Sequence, residues 1–213
     1  MASLRPPARL GLCAALSLAL QGCGPIEDAM KGSQGAPTGQ PPPAGFASDM
    51  VAAHNAVRAN PAMVGGSPAP SPALPPLEWN STEVAARAQA WASGCDYRHD
   101  AATLHALGYG ENIAAAYPPG SVSTASVVQD LWGGEAPFYT YATNACDAAN
   151  PANTAHTCGH YTQLVWRGTT VVGCGFTTCT AATWPFQGGT PGPWDYWVCD
   201  YAPPGNYVGE RPY

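Results

Sequence analysis

Six cysteines constrain this chain more than any other feature: Cys95, Cys146, Cys158, Cys174, Cys179 and Cys199. All of them lie beyond an export-type N-terminus, where thiols meet an oxidising compartment. An even six in such a chain predicts three disulfides, with their connectivity left open by the sequence. Once oxidised, none of these sulfurs is available as a nucleophile. The domain they brace should therefore be stapled by disulfides, on a length that suits a substantial core.

The N-terminus carries the reading of export. Arg5 and Arg9 form a positive n-region, and Leu10 to Leu20 form an apolar run too short to span a bilayer. Residues 1–22 read as a signal peptide. The run ends in "LQGC", Leu20 to Cys23, which resembles the lipobox of bacterial lipoproteins and makes Cys23 the expected lipidation site. The expected location is the bacterial envelope, as a lipoprotein, or the extracellular space. Residues 23–45 are rich in Pro, Gly, Ala and Gln with no hydrophobic period, as expected of a tether. One domain, residues 46–213, follows.

Charge excludes one class of function. Without Arg5 and Arg9 the chain keeps six Lys and Arg against fourteen Asp and Glu, a formal net charge of −8. Nucleic-acid binding needs a basic stripe that displaces counterions from phosphates, and none is present. Membrane association is expected only through a lipid anchor.

Within the domain, Ala47 to Asn60 has helical spacing at Met50, Val51, His54, Val57 and Arg58, with Ser48 or Asp49 as cap. Asn80 and Glu83 form a capping-box pattern ahead of a helix that ends at Gly94. A third helix is expected over Ser123 to Trp132. "GYGENI" places Glu111 in a turn or short strand. "YTQLVW", "TTVVGCGF" and "DYWVCDYA" read as antiparallel strands. Helices first and strands later predict an α+β fold.

Five blocks occur in a recognisable order: "HNAVR", "GYGENI", "WGGEAPFY", "CGHYTQLVWRGTTVVGCG" and "CDYAPPGNYVGERPY". Together they resemble the CAP superfamily, which includes cysteine-rich secretory proteins, venom antigens and plant pathogenesis-related proteins. The plant branch is the nearest in pattern. The resemblance implies a three-layer α-β-α sandwich with a central antiparallel sheet. It implies disulfides Cys95–Cys179, Cys146–Cys158 and Cys174–Cys199. It also implies a cleft of two histidines and two acids, carried over here to His54, Glu111, Glu135 and His160.

Several chemistries suit such a cleft. His54 and His160 are expected ligands for Zn²⁺ or another divalent cation, with Glu111 and Glu135 completing or orienting the site. Alternatively the four side chains form only a hydrogen-bonded network. A His/Glu-dependent hydrolase is the competing functional reading, but neither a GxSxG elbow nor HExxH is present and no catalytic residue is assigned. The resemblance implies instead a binding module for a small hydrophobic ligand such as a lipid or sterol, or for a cell-surface partner. Trp91, Trp132, Trp166 and Trp197 read as core, and Trp184, Phe186 and Trp194 as candidate exposed contacts. His99 and His105 lie in a polar connection with no partner the sequence identifies, and His156 in a loop.

Overall fold

In the computed structural model the described residues are 42–154 and 157–213. The signal peptide, Cys23, most of the tether and His156 lie outside them.

Strands and helices alternate as layers. Four strands form the main sheet: β1 (Glu78–Trp79), β2 (Gly110–Ala116), β5 (Val171–Cys179) and β6 (Trp194–Ala202), in the order β1-β5-β6-β2. The three long strands pair antiparallel, and the two-residue β1 adds to β5 in parallel. A second ribbon pairs β3 (Tyr139–Thr140) with β4 (Ala145–Cys146). Because side chains alternate along β6, Trp197, Cys199 and Tyr201 enter one core cluster while Trp194, Tyr196 and Val198 enter the other.

The first face is covered by α1 (Phe46–Ala59), by the segment that starts as α4 (Thr124–Ser126), and by α5 (Gly159–Leu164). The second face is covered by α2 (Val84–Ser93). This is a three-layer α-β-α sandwich. The approach of α2 is close enough to demand glycine. A Cβ on Gly173 would lie 2.2 Å from the Ala85 backbone nitrogen, and one on Gly175 would lie 2.3 Å from Gln89 Cα. Backbone atoms cannot step aside, so the "VVGCG" run is a docking surface for a helix.

The disulfides pin these layers. Cys95–Cys179 ties the end of α2 to the end of β5, Cys174–Cys199 crosses the β5–β6 ladder, and Cys146–Cys158 leads from β4 to α5.

Several expected elements differ. "YTQLVW" opens as helix, not strand: Tyr161, Leu164 and Val165 are buried at three- and four-residue spacing, and Val165 N–H donates to Tyr161 O. Helix α1 begins at Phe46, earlier than Ser48, and inserts the Phe46 ring into the core. The polar connection around His99 contains a helix, α3 (Ala101–Leu107), capped by Asp100 accepting from Thr103 N–H and ended by Gly108 at φ 66°. The third expected helix begins as an α turn and widens to i→i+5 bonding over Val127–Trp132. Trp194 is buried rather than exposed, and the half-buried Trp184 and Phe186 pack edge-on with each other. Trp132, Trp166 and Trp197 are core, whereas Trp91 is half-exposed beneath the Arg87 and Arg98 guanidinium groups. Among the described residues, no helix is long and apolar enough to cross a membrane.

Candidate functional site

Glu135 is delivered by a 3-10 turn, Gly133–Phe138, that directly follows Trp132. Its side chain is buried beside the start of α5. Oε2 accepts from the backbone N–H groups of His160 (2.9 Å) and Tyr161 (3.1 Å), and Oε1 lies 2.6 Å from His160 Nδ1. The carboxylate thus fixes both the helix start and the imidazole. His160 Nε2 has no partner among the described residues, and its side chain is partly exposed.

Glu111 belongs to a second pair. It stands on the outer strand β2, on the face covered by α2. Its Oε1 lies 2.8 Å from His99 Nδ1 and its Oε2 accepts from Arg87 Nη1 at 2.6 Å. Arg87 also donates to Asp200, which faces Glu111 across the β2–β6 ladder, and to Asp100. Burial pushes the Asp200 carboxyl up to about 7, against the pull of Arg87. Burial alone would lower Arg87, but Asp200 and Glu111 hold it above its ordinary range. His99 is half exposed, and its Nε2 is likewise without a partner among the described residues.

The two pairs straddle one edge strand. Glu111 holds His99 on one face, and the next residue, Asn112, donates from Nδ2 to the backbone oxygen of His160 on the other. Each imidazole is oriented through Nδ1 by a buried carboxylate.

His54 does not join them. It is fully buried on α1, with Nδ1–H donating to Met50 O (2.7 Å) and Nε2 accepting from the Tyr201 hydroxyl (2.8 Å). Burial lowers its pKa to about 4, so it is neutral. With both ring nitrogens engaged it has no lone pair for a metal. The expectation of His54 and His160 as a ligand pair is therefore corrected: His54 has neither ring nitrogen free, and the imidazoles held by carboxylates are His99 and His160. None of Glu111's hydrogen bonds reaches His54, Glu135 or His160. The ligand atoms of His54, Cys174 and Cys199 do lie within 4.8 Å of one another. Those sulfurs form a disulfide, however, and make poor ligands.

A separate groove of about 680 Å³ opens between α1 and the α4 segment. Ala52, Ala53 and Ala56 form one wall, Val122 to Ala125 the other, and Phe176 and Trp197 part of the lining between them. That size is in the range of small-molecule sites.

The model of the cysteine-rich secretory protein (CAP) family matches residues 51–201. The chain belongs to this family. It is similar to pathogenesis-related leaf protein 4 of Solanum lycopersicum, 36% identical over 165 residues, covering 78% of this chain and 82% of the relative. It is similar to pathogenesis-related protein 1A of Nicotiana tabacum, 37% identical over 166 residues, with 78% and 79% coverage. Among solved structures, Schistosoma mansoni venom allergen-like protein 4 superposes with a TM-score of 0.57 at 26% identity, covering 79% of this chain and 93% of that one. NaASP2, solved with Zn²⁺, gives a TM-score of 0.57 at 22% identity, covering 80% and 86%, a likeness of fold.

Proposed function

We propose that this CAP domain is an exported, non-enzymatic binding module that captures a small hydrophobic ligand in the groove between α1 and the α4 segment. The observation that carries the reading is the groove itself: an alanine stripe on α1 facing a second wall, with Phe176 and Trp197 in the lining. Burying a single alkyl chain there contributes roughly 0.8 kcal/mol per methylene. Lipid attachment at Cys23 would hold such a module at a membrane, and belongs to the same proposal. The test is binding of decanol, followed by tryptophan fluorescence. Ala52 lines the groove from the exposed side of α1, so Ala52→Trp fills it without entering the core. The expected result is saturable binding that weakens about tenfold in Ala52→Trp; absent or unaltered binding rejects the groove.

A second reading concerns the paired imidazoles. His99 and His160 would hold a divalent cation such as Zn²⁺ through Nε2, with Glu111 and Glu135 fixing each ring through Nδ1. Each imidazole is backed at Nδ1 by a buried carboxylate and has no partner at Nε2 among the described residues, which supports the reading. Neither imidazole bonds to a hydroxyl or thiol that it could activate, among the described residues, which favours binding over hydrolysis. Calorimetry with Zn²⁺ should give an affinity that drops at least about tenfold in His99→Ala and in His160→Ala. Equal affinity in wild type and both variants excludes the site. Peptide or ester hydrolysis lost in the same variants would instead favour the hydrolase.

A further inference from the structure

The groove is apolar along most of its lining, yet every charged group on it is an acid. Asp195 lies on β6, two residues from Trp197, and is only 3% exposed. Its Oδ1 accepts from Thr178 Oγ1 and its Oδ2 from the Gly120 backbone N–H, both at 2.7 Å. Those two bonds leave part of the acceptor capacity of a carboxylate unused. No ion pair reaches Asp195 among the described residues. Asp49 adds a second carboxylate on the α1 wall, exposed and on the same stripe as Ala52, Ala53 and Ala56. No Lys, Arg or His lines the groove.

Resting on the groove reading above, we infer that its ligand is a single-chain amphiphile with an ammonium head, not a fatty-acid carboxylate. An anionic head would meet two like charges with no base to offset them. An ammonium head brings three donors and the opposite charge to acceptors that are already in place. Burial of Asp195 beside aromatic rings keeps water from screening that attraction fully, whereas Asp49 contributes a weaker, salt-sensitive share. The apolar tail lies along the alanine stripe, as in the parent proposal. Charge therefore selects the head and area retains the tail.

The test compares decylamine, decanol and decanoate on the purified protein at neutral pH, by calorimetry or tryptophan fluorescence. Decylamine should bind about tenfold or more tightly than decanoate, with decanol between them. Raising the salt should shrink that lead, as expected where part of the attraction comes from an exposed charge. Asp195→Asn and Asp49→Asn should each reduce the ratio of decylamine to decanol affinity, the buried position more. Asp49→Asn changes only an exposed side chain, so it keeps the test valid if the Asp195 variant folds poorly. Decanoate binding as tightly as decylamine overturns the inference while leaving the groove reading intact, as does an unchanged ratio in both variants. If none of the three binds, the groove reading itself fails, and this inference with it.

Discussion

Arg58→Ala should lower the unfolding free energy by about 4 kcal/mol. Arg58 leaves α1 near its end and is buried to 1% exposure. Its guanidinium donates to four backbone oxygens: Nε to Pro75 (2.9 Å), Nη1 to Leu164 and Trp166 (2.9 Å each), and Nη2 to Thr169 (3.2 Å). It therefore joins the first helix to the loop before β1 and to the turn between α5 and β5. No carboxylate pairs with it among the described residues. Burial, and then the nearby charge of Arg167, lower its pKa to about 10, which leaves it charged at neutral pH. Removing it strips a charged donor from several carbonyls at once, and each buried acceptor left unpaired costs about 1–3 kcal/mol. Arg58→Lys should recover little, because an ammonium is a point donor and these oxygens are spread around a planar fork. Urea unfolding of both variants measures the effect. A loss below about 1 kcal/mol would mean that the carbonyls find other partners, and would sink the account.

His54 should make the protein acid-sensitive in a window of its own. Its pKa falls from 6.5 to about 4 in the fold, first because burial disfavours the imidazolium. The unfolded chain thus takes up a proton that the folded chain refuses. The stabilisation is complete above pH 6.5 and is lost progressively as pH falls toward 4. Over that interval the loss amounts to about 3 kcal/mol. Asp200 acts in the opposite direction: its carboxyl, raised to about 7, gives the folded state the greater proton uptake, so its own contribution improves as pH falls through that value. The two partly cancel in the wild type. The informative quantity is the stability gap between wild type and His54→Gln, which removes the imidazole alone. That gap should shift by about 3 kcal/mol against the wild type between pH 6.5 and pH 4 in paired denaturant series. A constant gap would show that His54 keeps its ordinary pKa.

The same two residues show how sequence and structure divided the work. The stripe Met50, His54, Val57, Arg58 was visible as a helical period, and it is indeed the buried face of α1. Read as physics alone, that spacing places His54 in the core, where a hydrogen-bonded imidazole is the expected state. The resemblance drew it into the cleft instead, and the structure returns it to the interior. His99 had the reverse fate. Its neighbours are polar, so no periodicity marks it. The available signal was small: the next residue, Asp100, caps α3 by accepting from Thr103 N–H. The helix α5 was missed for a related reason. "YTQLVW" is a short apolar run, and length and composition alone do not separate strand from helix there.

From the residues alone came the acidic charge, the even set of cysteines, the Asn80 carboxamide that accepts from the backbone ahead of α2, and the α+β class. These depend on composition, on local hydrogen bonding and on period, all of which act along the chain. Order of blocks added the family. Only the tertiary structure decided which histidine meets which carboxylate, because His99–Glu111 and His160–Glu135 form where separate segments converge on the edge strand β2. It alone decided, too, that a wall of alanines on α1 faces a groove whose charges are all acidic. Pairing across segments and the sign of a groove are properties of surfaces brought together by packing, and a linear pattern does not carry them.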